Sequence, residues 1–222
     1  MSLSILPYIG SKRTDIKFYE KYMPNPSHID VSVELFGGSG YNSLYLFSLN
    51  NKIKSIINDV DDDLINFFNQ IKQHPDEIVE QFNKLVEPKP TKDEFDNIKL
   101  ELKKENLSNL RKAVLYLFFK KFHGLRELLY PTTKSIGKIN KDKYETFFNW
   151  LKNTEFILND YQEVYKNIIE NKKKKRYFLF LDPPYLCSFN SEYKTYKKDN
   201  LILIDNTQLY INIIDYLKKK KF

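Results

Sequence analysis

The chain has 222 residues, a formal net charge of +7 at neutral pH and a pI of about 9.1. This length supports one domain, or one domain with an insertion. The positive charge suits a polyanionic partner, although an AT-rich genome would also explain the abundant lysine. The single cysteine, Cys187, excludes an internal disulfide and a cysteine metal cluster, and the sequence shows neither a membrane-spanning run nor a signal peptide. A soluble, reducing, intracellular setting is expected.

The first clear pattern is a strand, a glycine-rich turn and a helix. Residues 29–35 alternate apolar and polar side chains, which predicts a strand, and residues 41–49 carry apolar side chains at helical spacing. Between them lies Phe36-Gly37-Gly38-Ser39-Gly40. Such a turn lets a ligand approach backbone N–H groups at the start of a helix, although the spacing differs from that of dinucleotide-binding turns.

A second strand is predicted at residues 53–57 and ends at Asn58-Asp59. Asp59 lies 21 residues after Gly38, a separation at which an acid commonly holds ribose hydroxyls. The alternative is a loop aspartate, because Asp61, Asp62 and Asp63 follow and suit the start of a helix at 64–71. The glycine turn favours the ribose role.

The middle of the chain is mainly helical. The sequence predicts helices at 76–85, 92–104, 110–122, 144–150 and 161–170, a strand at 154–158 and a loop over 123–143. The stretch from Asp59 to Asp182 is far longer than α/β crossovers need. A helical insertion at about 75–150 is the simplest explanation.

The most informative motif is Asp182-Pro183-Pro184-Tyr185, which follows the apolar run 178–181. Proline fixes its own φ and forces the preceding residue into extended geometry. A carboxylate and main-chain oxygens are thus held rigidly beside an aromatic ring, which matches a flat base with an exocyclic amino group. A proline turn with a packed tyrosine is the alternative.

Taken together, these motifs resemble the Dam-type (D12 class) DNA adenine N6-methyltransferases. Tyr8-Ile9-Gly10-Ser11-Lys12 resembles their N-terminal motif, 33–40 their cofactor loop, Asn58-Asp59 their ribose-binding acid and 182–185 their catalytic motif. The resemblance implies a Rossmann-like α/β methyltransferase sheet, formed by residues 1–74 and 151–222, with a helical target-recognition insertion at 75–150.

The resemblance also implies a mechanism, which is methyl transfer from S-adenosylmethionine to adenine N6 in duplex DNA after base flipping, with no metal. The implied catalytic residues are Asp182, Pro183, Pro184 and Tyr185. In that mechanism Tyr185 stacks on the base, and the Asp182 carboxylate and the Pro183 carbonyl accept the amino hydrogens. The implied cofactor-binding residues are Tyr8, Lys12, Phe36, Gly37, Gly38, Gly40, Asp59 and Asp182.

Contacts with DNA are predicted more weakly. Residues 122–126 resemble the family's Asn-Gly-x-x-Arg stretch, but His123 replaces the asparagine and Arg126 falls one residue early. Arg126, Lys134 and Lys138 are therefore candidate DNA contacts, and solvated surface residues are the alternative. Double-stranded DNA is the expected partner, and a partner restriction nuclease is left open.

Members of the resembled family usually continue well past the catalytic motif and add further strands, whereas only 37 residues follow Tyr185 here. The resemblance therefore implies a sheet that is C-terminally incomplete. An unpaired sheet edge would be prone to association. A fragment, a split gene product, a compact relative and a relic all fit this pattern. Two other functions stay open. An RNA N6-adenine methyltransferase fits because the acid at position 182 favours an exocyclic amine but does not choose the polymer, and the short tail leaves a non-catalytic relic that binds DNA or cofactor.

Overall fold

The computed structural model of the protein describes residues 3–8, 10–123, 130, 136–170 and 175–183. The chain forms two compact units, Met1–Leu181 and Asp182–Phe222. The elements below belong to the first unit.

A four-stranded, all-parallel sheet forms the centre of this unit. Its strands are β1 (Val31–Glu34), β2 (Lys54–Asp59), β3 (Thr154–Leu158) and β4 (Tyr177–Phe180), in the order β3-β2-β1-β4. In the register of the sheet, Val33 lies opposite Ile56 on one side and Leu179 on the other. The predicted α/β class with a parallel sheet is confirmed.

Eight α-helices are present among the described residues. They are α1 (Ile16–Tyr19), α2 (Tyr41–Leu49), α3 (Asp62–Gln73), α4 (Pro75–Val86), α5 (Lys92–Glu101), α6 (Asn109–His123), α7 (Glu145–Lys152) and α8 (Tyr161–Glu170). Short 3-10 helices occupy Glu20–Tyr22, Pro26–His28 and Lys141–Tyr144. None of the helices in this part of the chain is both long and apolar enough to cross a membrane.

Local sequence signals explain where two of these helices begin. The Asp61 side chain accepts hydrogen bonds from the main-chain N–H groups of Asp63 and Leu64, which caps α3. Thr91 and Glu94 form a reciprocal capping box at the start of α5. The acidic run after β2 therefore has a structural use at Asp61.

Both faces of the sheet are covered. On one face, Val31, Val33 and Leu35 pack with Val164 of α8. On the other face lies a larger, aromatic core that includes Phe67, Phe118, Trp150 and Phe156. Every residue of β1 is therefore buried, the polar ones included.

The segment 75–150 contains α4, α5, α6 and all but the last two residues of α7. Side chains of these four helices share the hydrophobic cluster that also holds α3 and Ile57 of β2. The predicted helical content is thus present. The division of the chain at 75 and 150, and a role of this segment in target recognition, stay predictions.

Candidate active site

The glycine-rich turn between β1 and α2 is closely packed by other side chains. Gly38 and Gly40 have φ angles of +48° and +62°, a backbone conformation that glycine adopts readily. A Cβ on Gly38 would lie 2.9 Å from Tyr8 Cε1, and one on Gly40 would lie 2.8 Å from Trp150 Cη2. A Cβ on Gly37 would clash with Ile57 Cγ2. A larger residue is therefore excluded at all three positions.

The backbone N–H groups of the turn have acceptors within the protein. Gly37 N donates to Asn58 O at 2.7 Å, Gly38 N to Asp59 Oδ2 at 2.8 Å, and Gly40 N to Gly37 O at 2.8 Å. The sequence suggested that such N–H groups would face a ligand. Instead, the bonds from Gly37 and Gly38 fix the turn to the end of β2, and the bond from Gly40 closes the turn on itself. The turn is therefore preformed.

Asp59 accepts two main-chain hydrogen bonds at the carboxyl end of β2. Oδ2 accepts from Gly38 N, and Oδ1 accepts from Asp61 N at 3.0 Å. Each carboxylate oxygen can accept more than one hydrogen bond. The half-buried carboxylate is thus oriented by the turn and retains acceptor capacity for hydroxyl groups of a ligand.

Asn58, which the motif search paired with Asp59, is almost fully buried, with 1% of its surface exposed. Its Nδ2 donates to Leu35 O at 2.9 Å. Its Oδ1 has no hydrogen-bond partner among the described residues. A buried acceptor without a donor is unfavourable, so a bound ligand with O–H or N–H groups would suit this end of the sheet.

Glu34, at the carboxyl end of β1, occupies the N-terminus of α2. It is 3% exposed, and it accepts hydrogen bonds from Ser43 N at 2.8 Å and from Asn42 Nδ2 at 3.1 Å. A helix N-terminus attracts anions, and here the protein supplies one itself. A ligand phosphate at this position would meet a buried carboxylate, so the turn suits a ligand without phosphate.

Sequence analysis missed Glu34, because it was treated only as part of the glycine motif. The alternation of the strand puts Glu34 on its polar face, so no signal in the sequence indicated that this side chain is buried. The same face of β1 carries Ser32, whose hydroxyl donates to Ser43 Oγ at 2.7 Å. Trp150 Nε1 donates to Ser55 Oγ at 3.0 Å on the neighbouring strand. Buried polar contacts thus continue from the turn toward α7.

The N-terminal motif lies beside the turn, as its Tyr8 and Ser11 show. The Tyr8 ring contacts Gly38, and Ser39 Oγ donates to Ser11 Oγ at 3.2 Å. Lys12 lines an apolar groove of about 430 Å³ whose other walls include Tyr19. The structure therefore brings Tyr8 to the glycine turn and places Lys12 at this groove.

Phe36 packs on the face of the sheet opposite the one on which Tyr8 packs. Its ring lies 5.0 Å from the ring of Tyr161 on α8, within the cluster around Val33. A contact between Phe36 and a cofactor stays a prediction, as do the cofactor contacts of the other predicted residues.

The motif that the sequence predicts to be catalytic begins two residues after β4. Leu181 ends the first unit, and Asp182 begins the second. Pro183 is buried. Pro184 and Tyr185 lie outside the described residues. Their roles stay predictions.

Of the predicted DNA contacts, only Lys138 falls within the described part of the chain. Its Nζ lies 2.7 Å from Glu87 Oε2, in an exposed ion pair. Such a pair is weak enough to exchange for a phosphate, so the predicted role stays open. Arg126 and Lys134 lie outside the described residues.

Comparison with known proteins identifies one family. The model of the D12 class N6 adenine-specific DNA methyltransferases matches residues 8–222, nearly the whole chain. No curated protein matches the sequence.

Proposed function

We propose that this chain, which belongs to the D12 class N6 adenine-specific DNA methyltransferases, uses S-adenosylmethionine to methylate adenines that it flips out of duplex DNA. The carrying observation is the 2.8 Å hydrogen bond from Gly38 N to Asp59 Oδ2. It joins the glycine turn after β1 to the acid at the end of β2, the two features from which a nucleoside site in such a sheet is built.

The residues around this bond suit S-adenosylmethionine. Asp59 offers carboxylate oxygens to ribose hydroxyls, and the buried Asn58 Oδ1 needs a donor. Glu34 disfavours ligand phosphates at the start of α2, and the proposed cofactor has none. When bound, the cofactor would supply an activated methyl group from its sulfonium. The electron pair of the broken C–S bond would stay on sulfur, the methyl carbon would bond to adenine N6, and N6 would lose one proton to solvent.

The motif after β4 would hold the target amino group. The Asp182 carboxylate and the Pro183 carbonyl would accept its two hydrogens and aim the nitrogen lone pair at the methyl carbon. Pro184 would fix the turn, and Tyr185 would stack on the base. Orientation and preorganised acceptors then account for most of the catalysis.

The topology of the sheet supports this assignment. β4 runs parallel to β1, with Phe180 in register with Glu34. Ligand sites of parallel sheets lie beyond the carboxyl ends of the strands. Along the chain, the glycine turn follows β1, Asp59 is the last residue of β2, and Asp182 follows β4.

Duplex DNA hides the adenine amino group in base pairs and stacking, so the base would have to be extruded for the reaction. The helical segment 75–150 would recognise the target sequence, and Arg126, Lys134 and Lys138 would contact the DNA. DNA as substrate also favours an intracellular site of action. A partner restriction nuclease stays a prediction.

Mass spectrometry of nucleic acid incubated with the protein and S-adenosylmethionine tests the proposal. We expect N6-methyladenine in duplex DNA and none in a matched RNA. Methylation confined to RNA would establish the RNA alternative. Cofactor binding by calorimetry, without methylation of any substrate, would establish the non-catalytic alternative.

A further inference from the structure

Lys120 of α6 lies between two aromatic rings from different parts of the chain. Its Nζ is 5.1 Å from the ring centroid of Tyr8 and 5.0 Å from that of Tyr116. Both distances are within the range of a cation–π interaction. Tyr116 precedes Lys120 by one helical turn, so the two side chains share a face of α6.

The ring of Tyr116 is fixed by the core. It stacks on Phe67 of α3, with ring centroids 5.6 Å apart and planes inclined by 30°. Phe67 is fully buried. Tyr116 is therefore a rigid support for the Lys120 ammonium, and this restricts where the ammonium can meet Tyr8.

Tyr8 contacts the glycine turn as well as Lys120. The edge of its ring lies where a side chain on Gly38 would be, with Cε1 2.9 Å from an ideal Cβ position. Gly38 in turn donates to Asp59. A continuous set of contacts therefore leads from α6 through Tyr8 to the acid proposed to bind ribose.

The charge of Lys120 also acts on Asp61, the acid that precedes α3. Burial raises the pKa of the Asp61 carboxyl, and the nearby Lys120 charge opposes that increase. Asp61 caps α3 and donates its own main-chain N–H to Asp59. Lys120 thus faces the cofactor end of the sheet from the helical segment.

We propose that Lys120 is a positioning residue, which holds the Tyr8 ring against Gly38 and so couples α6 to the cofactor site. This inference rests on the proposed use of S-adenosylmethionine. It adds a residue to the proposed cofactor site, because Lys120 belongs to none of the sequence motifs. Displacement of α6 would release Tyr8 from the turn and weaken cofactor binding.

The test compares Lys120→Met with Lys121→Met. Lys121 is the next residue of the same helix, is also half-buried, and lies 5.9 Å from the ring centroid of Phe82. The two substitutions remove the same charge and the same kind of ring contact. We expect Lys120→Met to raise the calorimetric Kd for S-adenosylmethionine roughly two- to thirtyfold. Lys121→Met should leave it unchanged, and Lys120→Arg, which keeps a cation over the rings, should restore it.

A double-mutant cycle identifies the partner of Lys120. In a Tyr8→Leu background, Lys120→Met should have little further effect on the Kd. Additive effects of the two substitutions would overturn the inference, as would equal effects of Lys120→Met and Lys121→Met. Urea unfolding of each variant without cofactor separates a loss of binding from a loss of stability.

The remaining outcomes are also decisive. Lys120→Met could instead leave the cofactor Kd unchanged and raise the KM for DNA, with a smaller dependence of that KM on salt. This result would show that Lys120 contacts phosphate. A wild-type protein that does not bind S-adenosylmethionine would refute the proposed function itself. The positioning role alone would fail if the wild-type protein bound S-adenosylmethionine and Lys120→Met bound it with the same Kd. The two failures are therefore distinguishable.

Discussion

The two ends of the sheet each hold an aspartate in different surroundings. At the amino end, Asp30 accepts hydrogen bonds from Arg176 N at 2.8 Å, Nε at 3.2 Å and Nη2 at 2.8 Å. At the carboxyl end, Asp59 accepts from the neutral main-chain groups of Gly38 and Asp61. Among the described residues, a guanidinium thus neutralises Asp30, whereas main-chain dipoles orient Asp59.

The difference separates stability from ligand binding. Asp30 precedes β1, Arg176 precedes β4, and Asp30 O also accepts from Lys54 N at the start of β2. This end therefore ties three strands together. The carboxyl end keeps a charged group without a neutralising side chain among the described residues, which is an arrangement suited to a ligand.

The largest effect is expected from Asp182→Ala, in the segment that follows β4. Loss of one preorganised acceptor should lower the methylation rate by about 10²- to 10³-fold. Circular dichroism and thermal unfolding should match those of the wild type. Normal turnover by this folded variant would remove Asp182 from the proposed catalytic residues.

The next largest effect is expected for Glu34→Ala, which leaves Ser43 N and Asn42 Nδ2 without their buried acceptor. The free energy of unfolding in urea should fall by about 2–4 kcal/mol. Glu34→Gln should recover part of the loss, because its carbonyl oxygen can still accept from Ser43. Glu105→Ala, at an exposed position, is the control and should change stability by no more than about 0.5 kcal/mol. Equal losses at the two positions would contradict a capping role for Glu34.

Asp59→Ala tests the binding side of the comparison directly. We expect S-adenosylmethionine binding to weaken by roughly 1–3 kcal/mol, because ribose hydroxyls would lose their acceptor. Calorimetry measures this, with the exposed Asp63→Ala as a matched control that should bind normally. An unchanged Kd for Asp59→Ala would leave Asp59 as a structural residue of the turn.

The smallest effect concerns Asp30 and appears as a dependence of stability on pH. Hydrogen bonds from Arg176 lower the pKa of Asp30 from its ordinary value of 3.8 to about 2. Because the folded-state pKa is the lower one, the stabilisation is present above about pH 4 and is lost as the pH falls toward 2. Urea unfolding over this range should show a shallower pH dependence for Asp30→Asn than for wild type. Identical slopes would show that the pair contributes no stability.

Much of the fold could be predicted because periodic apolar residues dominate its elements. The bounds predicted for α2, β3 and α8 are those of the structure, and β2 continues two residues further, to Asp59. The family was also identifiable, because its motifs are local and ordered along the chain.

The contacts around the turn could not be predicted. Trp150 contacts Gly40, and Lys120 contacts Tyr8. In each pair the two residues are more than a hundred positions apart in the chain. No local pattern encodes such packing, since it depends on how α6 and α7 lie on the sheet. Burial of both faces of β1 could not be predicted either, because an alternating pattern is also typical of a strand with one face in water.

Trp150 gives the protein an internal optical reporter. It is the sole tryptophan of the chain, it is fully buried, and it lies against Gly40 while its indole N–H is bonded to Ser55. Fluorescence excited at the red edge of the absorption band therefore arises from a single position beside the glycine turn. Its emission should be blue-shifted and shielded from soluble quenchers, so the protein can report rearrangement of its own turn without an added label.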